Sequence, residues 1–283
     1  MKFSTATVGP GRKKHRLTWL RVFFIGLLLY FVSIGLVAFT GNATLFPTAV
    51  LLGSFMVPAA FVTFLYERRR MSSLTMPTMA LSFFWGGILG VLAASILEPI
   101  FVQGLNLGTA FVIGLIEEMV KLLGIFVVMR HRSHDLELNG LLLGAAAGMG
   151  FAALESTGYA FTAFLRSGGS LSATVIVTLI RALLSPVGHG TWTAIRAGAI
   201  FHESKNDRYR FTRYVVGAYL LVVILHGLWD AVPIIISAFL LPGLDVFIGQ
   251  AAVGLAGALI FWWRWREAIQ AQDQAQEEEL QTP

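Results

Sequence analysis

The chain of 283 residues contains no cysteine, and only 13% of its residues are Asp, Glu, Lys or Arg. Without cysteine there is no disulfide framework, no thiolate nucleophile and no Cys-ligated metal site. A soluble domain carries about 25% charged residues, so the shortage of charge argues against a soluble enzyme. With 56% hydrophobic residues, a disordered chain is excluded as well. What is present is apolar: 22 Phe, 7 Trp and 29 Gly. Most apolar residues fall in runs of about 18 to 30, and a helix crossing a bilayer needs roughly 20.

Breaking these runs at charges and turn residues predicts eight spans, at 19–39, 45–66, 77–97, 109–129, 138–162, 171–201, 212–241 and 245–263. The expected fold is an all-α, polytopic membrane helical bundle, since lipid offers no partner to exposed backbone groups and the alternation of barrel strands is absent. Residues 1–18 form a basic flank, 19–263 a single membrane-embedded domain, and 264–283 a polar tail expected to be disordered. The first span reads as a retained helix rather than a secretory signal, because it is long and has no small-residue cleavage site. The sixth span contains Ser185-Pro186-Val187-Gly188-His189-Gly190, which predicts a kink or two half-helices. Gly140, Gly144 and Gly148 repeat every fourth residue on the fifth span, so a neighbouring helix can approach it closely.

The net charge of +5 raises the question of nucleic acid, and the positions of the basic residues answer it. With the N-terminus inside, 17 of the 21 Lys and Arg residues fall on the cytoplasmic side, in the N-terminal flank, around Arg68–Arg70, at Arg130 and Arg132, between Lys205 and Arg213, and at Arg264 and Arg266. This is the pattern of a membrane protein with both termini in the cytoplasm, and it leaves no basic surface for nucleic acid.

The remaining charges are informative because they sit where charge is costly. Glu117, Glu118, Lys121, Glu155, Arg181, His189, Arg196, His226 and Asp230 all lie within spans four to seven. A charged side chain at the bilayer centre costs roughly 2.5 to 3.5 kcal/mol on insertion scales, so nine such groups point to a site. Glu117 and Lys121 are one helical turn apart and Glu118 is three residues from Lys121, so one Glu can pair with the ammonium while the other faces a cavity and activates water. Phe151 and Glu155 share one face of the fifth span, and His226 and Asp230 one face of the seventh. Glu155 is able to hold a metal or water, or to anchor Arg181 or Arg196. The two arginines are read as balancing the acids rather than clamping substrate. Glu118 lies about nine residues, roughly 14 Å, below the outer end of its span, which places the groups in an outward-biased, water-filled cavity.

Four motifs in order, Glu117-Glu118-x-x-Lys121, Phe151-x-x-x-Glu155, His189 after Arg181 and Pro186, and His226-x-x-x-Asp230, resemble those of the PrsW family of intramembrane proteases. That family is distantly related to the CAAX prenyl endopeptidases and the Abi-type membrane proteases. The resemblance covers residues 109–235. It implies peptide-bond hydrolysis in a membrane-anchored protein, as the first cut in an anti-sigma-factor-like single-pass substrate, in the bacterial cytoplasmic membrane. Carried over, it makes Glu117, Glu118, Glu155, His189 and His226 catalytic, with Lys121, Asp230, Arg181 and Phe151 in support. One divalent metal such as zinc would sit among Glu155, His189, His226 and Asp230. A metal-free version, with a Glu base and two imidazoles steadying the oxyanion, is slightly preferred. The alternatives are a CAAX- or Abi-type protease with another substrate, and a proton- or ion-coupled transporter, whose site is also built from buried carboxylates and a broken helix.

Overall fold

In a computed structural model, the structure describes residues 17–69, 72–130, 136–205, 208–236 and 244–281. Most of the basic N-terminal flank, together with Arg70 and Arg132, lies outside the described residues. Among the described residues the protein is helical, with ten helices: α1 (Thr18–Thr40), α2 (Phe46–Glu67), α3 (Met76–Phe101), α4 (Leu107–Val120), α5 (Leu122–Met129), α6 (Glu137–Arg166), α7 (Leu171–Leu184), α8 (His189–Glu203), α9 (Arg213–Ile236) and α10 (Leu244–Gln281). Among the described residues, six helical stretches are long and apolar enough to cross a membrane. The polytopic helical bundle expected from the apolar runs is the architecture observed.

Two boundaries differ from expectation. The fourth predicted span is divided at Lys121 into α4, ending at Val120, and α5, beginning at Leu122, but the backbone there stays helical, at φ −58° and ψ −27°, and the Lys121 amide still donates to the Glu117 carbonyl at 3.1 Å. The Lys121 side chain is fully buried against both carboxylates instead of reaching the membrane surface. The polar tail, expected to be disordered, continues α10 as helix to Gln281. Its Ala, Gln and Glu residues are good helix formers, and Arg264 anchors its start to Glu137 on α6. The sixth span divides as expected. A 3-10 turn at Ser185–Val187 and Gly188, at φ −100° and ψ −112°, separate α7 from α8.

Helix α6 is the centre of the bundle. Its residues 138–153 are all buried, and α8, α3, α2 and α7 pack around it. The glycine repeat faces α8: a Cβ at Gly140 would lie 2.5 Å from the Ala197 carbonyl oxygen, and one at Gly144 2.5 Å from that of Thr193. At Gly148 it would run into the backbone carbonyl of His189. The repeat thus lets the first turn of α8, which carries His189, sit directly on α6.

One end of the bundle is tied together by polar contacts between distant segments. The Thr18 amide donates to Glu67 Oε1 at 2.8 Å, joining the start of α1 to the end of α2. The Ser72 hydroxyl donates to Asn139 Oδ1 at 2.6 Å, joining the α2–α3 connection to the start of α6.

Candidate active site

Helix α4 begins with a capping box. The Asn106 side chain accepts from the Gly108 and Thr109 amides at 2.9 and 3.0 Å, and the Thr109 hydroxyl accepts from the Asn106 amide at 2.8 Å. That start sets the register in which Glu117 and Glu118, one residue and about 100° apart on the helix, face different surroundings.

Glu118 is sealed inside the protein with every oxygen engaged. Its Oε1 accepts from Lys121 Nζ at 2.7 Å and from His226 Nδ1 at 3.1 Å, and its Oε2 accepts from the Thr193 hydroxyl at 3.2 Å. Its backbone carbonyl, in the last turn of α4, accepts from the guanidinium of Arg196. That guanidinium stacks 4.0 Å over the ring of Tyr219, whose hydroxyl donates to the Leu115 carbonyl at 2.7 Å.

Glu117 faces the other way, into a cavity of about 200 Å³ shared by Glu98, Glu155, Arg181, His189, His226 and Asp230. Its Oε2 is buried and 3.1 Å from Lys121 Nζ as an ion pair, yet has no hydrogen-bond partner. The same oxygen lies 3.6 Å from His226 Nε2 and 3.9 Å from His189 Nδ1.

The two imidazoles are held differently. With Nδ1–H of His226 donating to Glu118, its Nε2 faces two carboxylate oxygens, Glu117 Oε2 at 3.6 Å and Asp230 Oδ2 at 3.8 Å, toward which it can only donate a proton or, when unprotonated, offer its lone pair to a cation between them. His189 stands between a cation and an anion, its Nδ1 2.8 Å from Lys121 Nζ and its Nε2 3.2 Å from Glu155 Oε2. An ammonium only donates, so His189 Nδ1 accepts and its Nε2–H points at the carboxylate. Glu155 is in turn paired with Arg181 at 2.7 Å, and Arg181 lies 3.8 Å over the ring of Tyr159. Phe151 closes one side, 4.3 Å from the Lys121 ammonium, and Trp192 the other, with its ring 4.9 Å from that of His226.

All nine candidate residues from the motifs meet in this cluster, but Glu118 and Lys121 form its back wall and do not line the cavity. Arg196 balances no carboxylate side chain directly; it holds backbone. Trp192 and Thr193 were absent from the motifs, although they follow His189 by three and four residues and so share its helix face. Tyr219, 104 residues from its partner Leu115, gave no local signal. Glu98, near the end of α3 and outside the four motifs, also lines the cavity.

The donor set suits a divalent cation. Ligand atoms of Glu117, His189 and His226 lie within 4.8 Å of one another, and two His with one carboxylate form a zinc-type set with room for a further ligand. Glu117 Oε2, which has no hydrogen-bond partner, lies 3.6 Å from His226 Nε2, and the Glu118 bond to Nδ1 leaves that Nε2 as the nitrogen able to ligate. His189 would join by giving up Lys121 or Glu155. Glu155, expected among the metal ligands, is instead engaged by Arg181 and His189.

No curated protein and no solved structure matches the chain. The family model described as PrsW family intramembrane metalloprotease matches residues 75–263, which include α3 and every residue of the cluster. With about two thirds of its length matched, the chain belongs to the PrsW family of intramembrane proteases.

Proposed function

We propose that the protein is an endopeptidase that hydrolyses a peptide bond of a membrane-anchored protein, with Glu117 as the reactive carboxylate. The observation that carries this reading is the buried Glu117 Oε2, which has no hydrogen-bond partner and faces a cavity together with two imidazoles. A divalent ion held by Glu117, His189 and His226 would polarise the scissile carbonyl and its attacking water as a Lewis acid. We favour this metal-dependent form because the donor atoms converge on one space.

The surrounding groups do the same work in either form, but Glu117 does not. Without metal, Glu117 contacts the attacking water, takes up its proton and returns it to the leaving amine; with an ion bound, it would be one of the ion's three holders. Glu118 holds His226 through Nδ1, so that Nε2 stays turned to the substrate side. Lys121 offsets the charge of the two glutamates, and Glu155, steadied by Arg181, orients His189. Phe151 and Trp192 keep bulk water from the back of the site.

The cut is proposed near the extracytoplasmic face. Glu98 and Leu105, at the α3–α4 connection, line the cavity, whereas Arg68, Arg69, Arg130 and Lys205 lie at the opposite helix ends. The positive-inside rule then puts those basic ends and both termini in the cytoplasm. A single-pass, anti-sigma-factor-like protein in a bacterial cytoplasmic membrane fits a cut at that depth.

The test is proteolysis by the purified protein in proteoliposomes containing a candidate single-pass substrate. Cleavage that survives in both Glu117→Gln and His226→Ala would overturn the assignment. Elemental analysis with chelator titration then separates the two chemistries: bound metal whose removal stops cleavage is expected, and full activity without it excludes the metal-dependent form.

A further inference from the structure

The cavity contains more acid than base. Glu98, Glu117, Glu155 and Asp230 line it, and Arg181 is the one Lys or Arg among its lining residues. Arg181 is taken by Glu155 at 2.7 Å, and Lys121 approaches Glu117 from behind the wall. Glu98 and Asp230 have no Lys or Arg within 4.0 Å among the described residues. They stand on different elements, Glu98 near the end of α3 and Asp230 on α9. Glu98 and Glu117 line the same cavity of about 200 Å³, and Glu117 is buried with one oxygen that has no hydrogen-bond partner. Carboxylates sharing so small a space repel unless positive charge or a proton stands between them. One divalent ion among Glu117, His189 and His226 serves Glu117 and leaves Glu98 and Asp230 unanswered.

We infer that the cavity selects substrates with a Lys or Arg side chain close to the scissile bond, and that Glu98 is the residue that recognises it. The inference rests on the protease reading of the same site. Glu98 is three residues from the end of α3, where a long basic side chain can keep its stem in the apolar region and bring its head to the membrane boundary. Basic residues are depleted at the extracytoplasmic ends of membrane segments, so such a residue singles out a minority of single-pass proteins.

The experiment uses the full chain in proteoliposomes and a set of single-pass substrates identical except for Lys, Ala or Glu at each of the three positions on either side of the cut. At one position the Lys substrate is expected to exceed Ala by about tenfold to a hundredfold in kcat/KM, the range of a hydrogen bond to a charged group, with Glu below Ala. Glu98→Gln is expected to bring the Lys-to-Ala ratio towards one, and Glu98→Lys to move the preference to the Glu substrate. Equal kcat/KM for Lys and Ala substrates at every position would overturn the inference while leaving the protease reading intact. Loss of bound metal in Glu98→Gln would also overturn it, by making Glu98 a ligand. Binding of the same substrates to the His226→Ala protein gives an independent arm. Selective binding of the Lys form without cleavage by the wild type would sustain the inference and sink the protease reading.

Discussion

Helices α1 and α6 invert the rule that governs soluble proteins. The α1 span is the most apolar of the six membrane-length stretches, yet only 17% of it is buried within the protein; α6 is the least apolar, and 89% of it is buried. Phe24, Ile25, Leu28 and Leu29 of α1 face outward, whereas Gly144, Ala145, Ala146, Ala147 and Gly148 of α6 are enclosed. Lipid tails are as apolar as leucine, so hydrophobicity does not drive one helix against another in a bilayer. Close approach and satisfied polar groups do. The helix that other backbones can approach becomes the centre, and the ionisable residues gather around it because that is where they find partners.

The largest expected effect removes the chemistry and leaves the scaffold. Glu117→Gln and His226→Ala should lower cleavage by about 10² to 10⁴-fold, the range of a general acid–base contribution. Both proteins should still insert and purify like the wild type. Leu28→Ala on the lipid-facing side of α1 should leave the cleavage rate unchanged. If the α1 substitution were as damaging as Glu117→Gln, the division between scaffold and site would be wrong.

A second pair of substitutions sets like against like. Gly148→Leu should destabilise the protein by about 1 to 3 kcal/mol or more, because the added side chain meets the backbone carbonyl of His189 and has to displace α8. Gly35→Leu on α1 has open space around its Cβ and should leave the thermal midpoint in detergent unchanged. Cleavage should fall with Gly148→Leu by more than the loss of folded protein accounts for, since His189 moves with α8.

Much of this division could be read from the residues alone. Apolar runs located the helices, and the Pro186–Gly188 break separated α7 from α8 as its residue types require. Intramembrane charge marked the site because each such group is costly without a partner. Three things were not legible. Glu117 and Glu118 are chemically identical neighbours, and only the positions of Thr193, His226 and Arg196, 75 or more residues away in sequence, decide which faces the cavity. The division at Lys121 carries no Pro or Gly and keeps helical backbone angles, so residue type gave no sign of it. The tail was expected to be disordered from its polarity, but Ala, Gln and Glu also favour helix, and the contact of Arg264 with Glu137 extends α10 through it.

A third, intermediate effect concerns the groups that hold α4 in place. Arg196→Gln removes the charged donor to the Glu118 carbonyl and the cation stacked on Tyr219. Arg196→Lys retains the charge without the planar fork. Because Arg196 does not line the cavity, kcat should fall while KM stays near the wild-type value, with Lys restoring part of the loss.

The smallest effect is expected for Tyr219→Phe, and it is the finest test of how far the site extends into the scaffold. This change deletes one hydroxyl and its 2.7 Å hydrogen bond to the Leu115 carbonyl but leaves the aromatic face under Arg196. Leu115 lies within α4, so its carbonyl keeps its place in the helical ladder and the loss is that of one neutral hydrogen bond, about 1 kcal/mol. If α4 is held chiefly by Arg196 and the Glu118 network, Tyr219→Phe should lower the thermal midpoint slightly and leave kcat within about twofold of wild type. A double substitution with Arg196→Gln measures their coupling. The two residues touch, so the combined loss in kcat should differ from the product of the separate losses. Strict independence would mean that Tyr219 belongs with α1 on the lipid-facing side of the comparison rather than with the site.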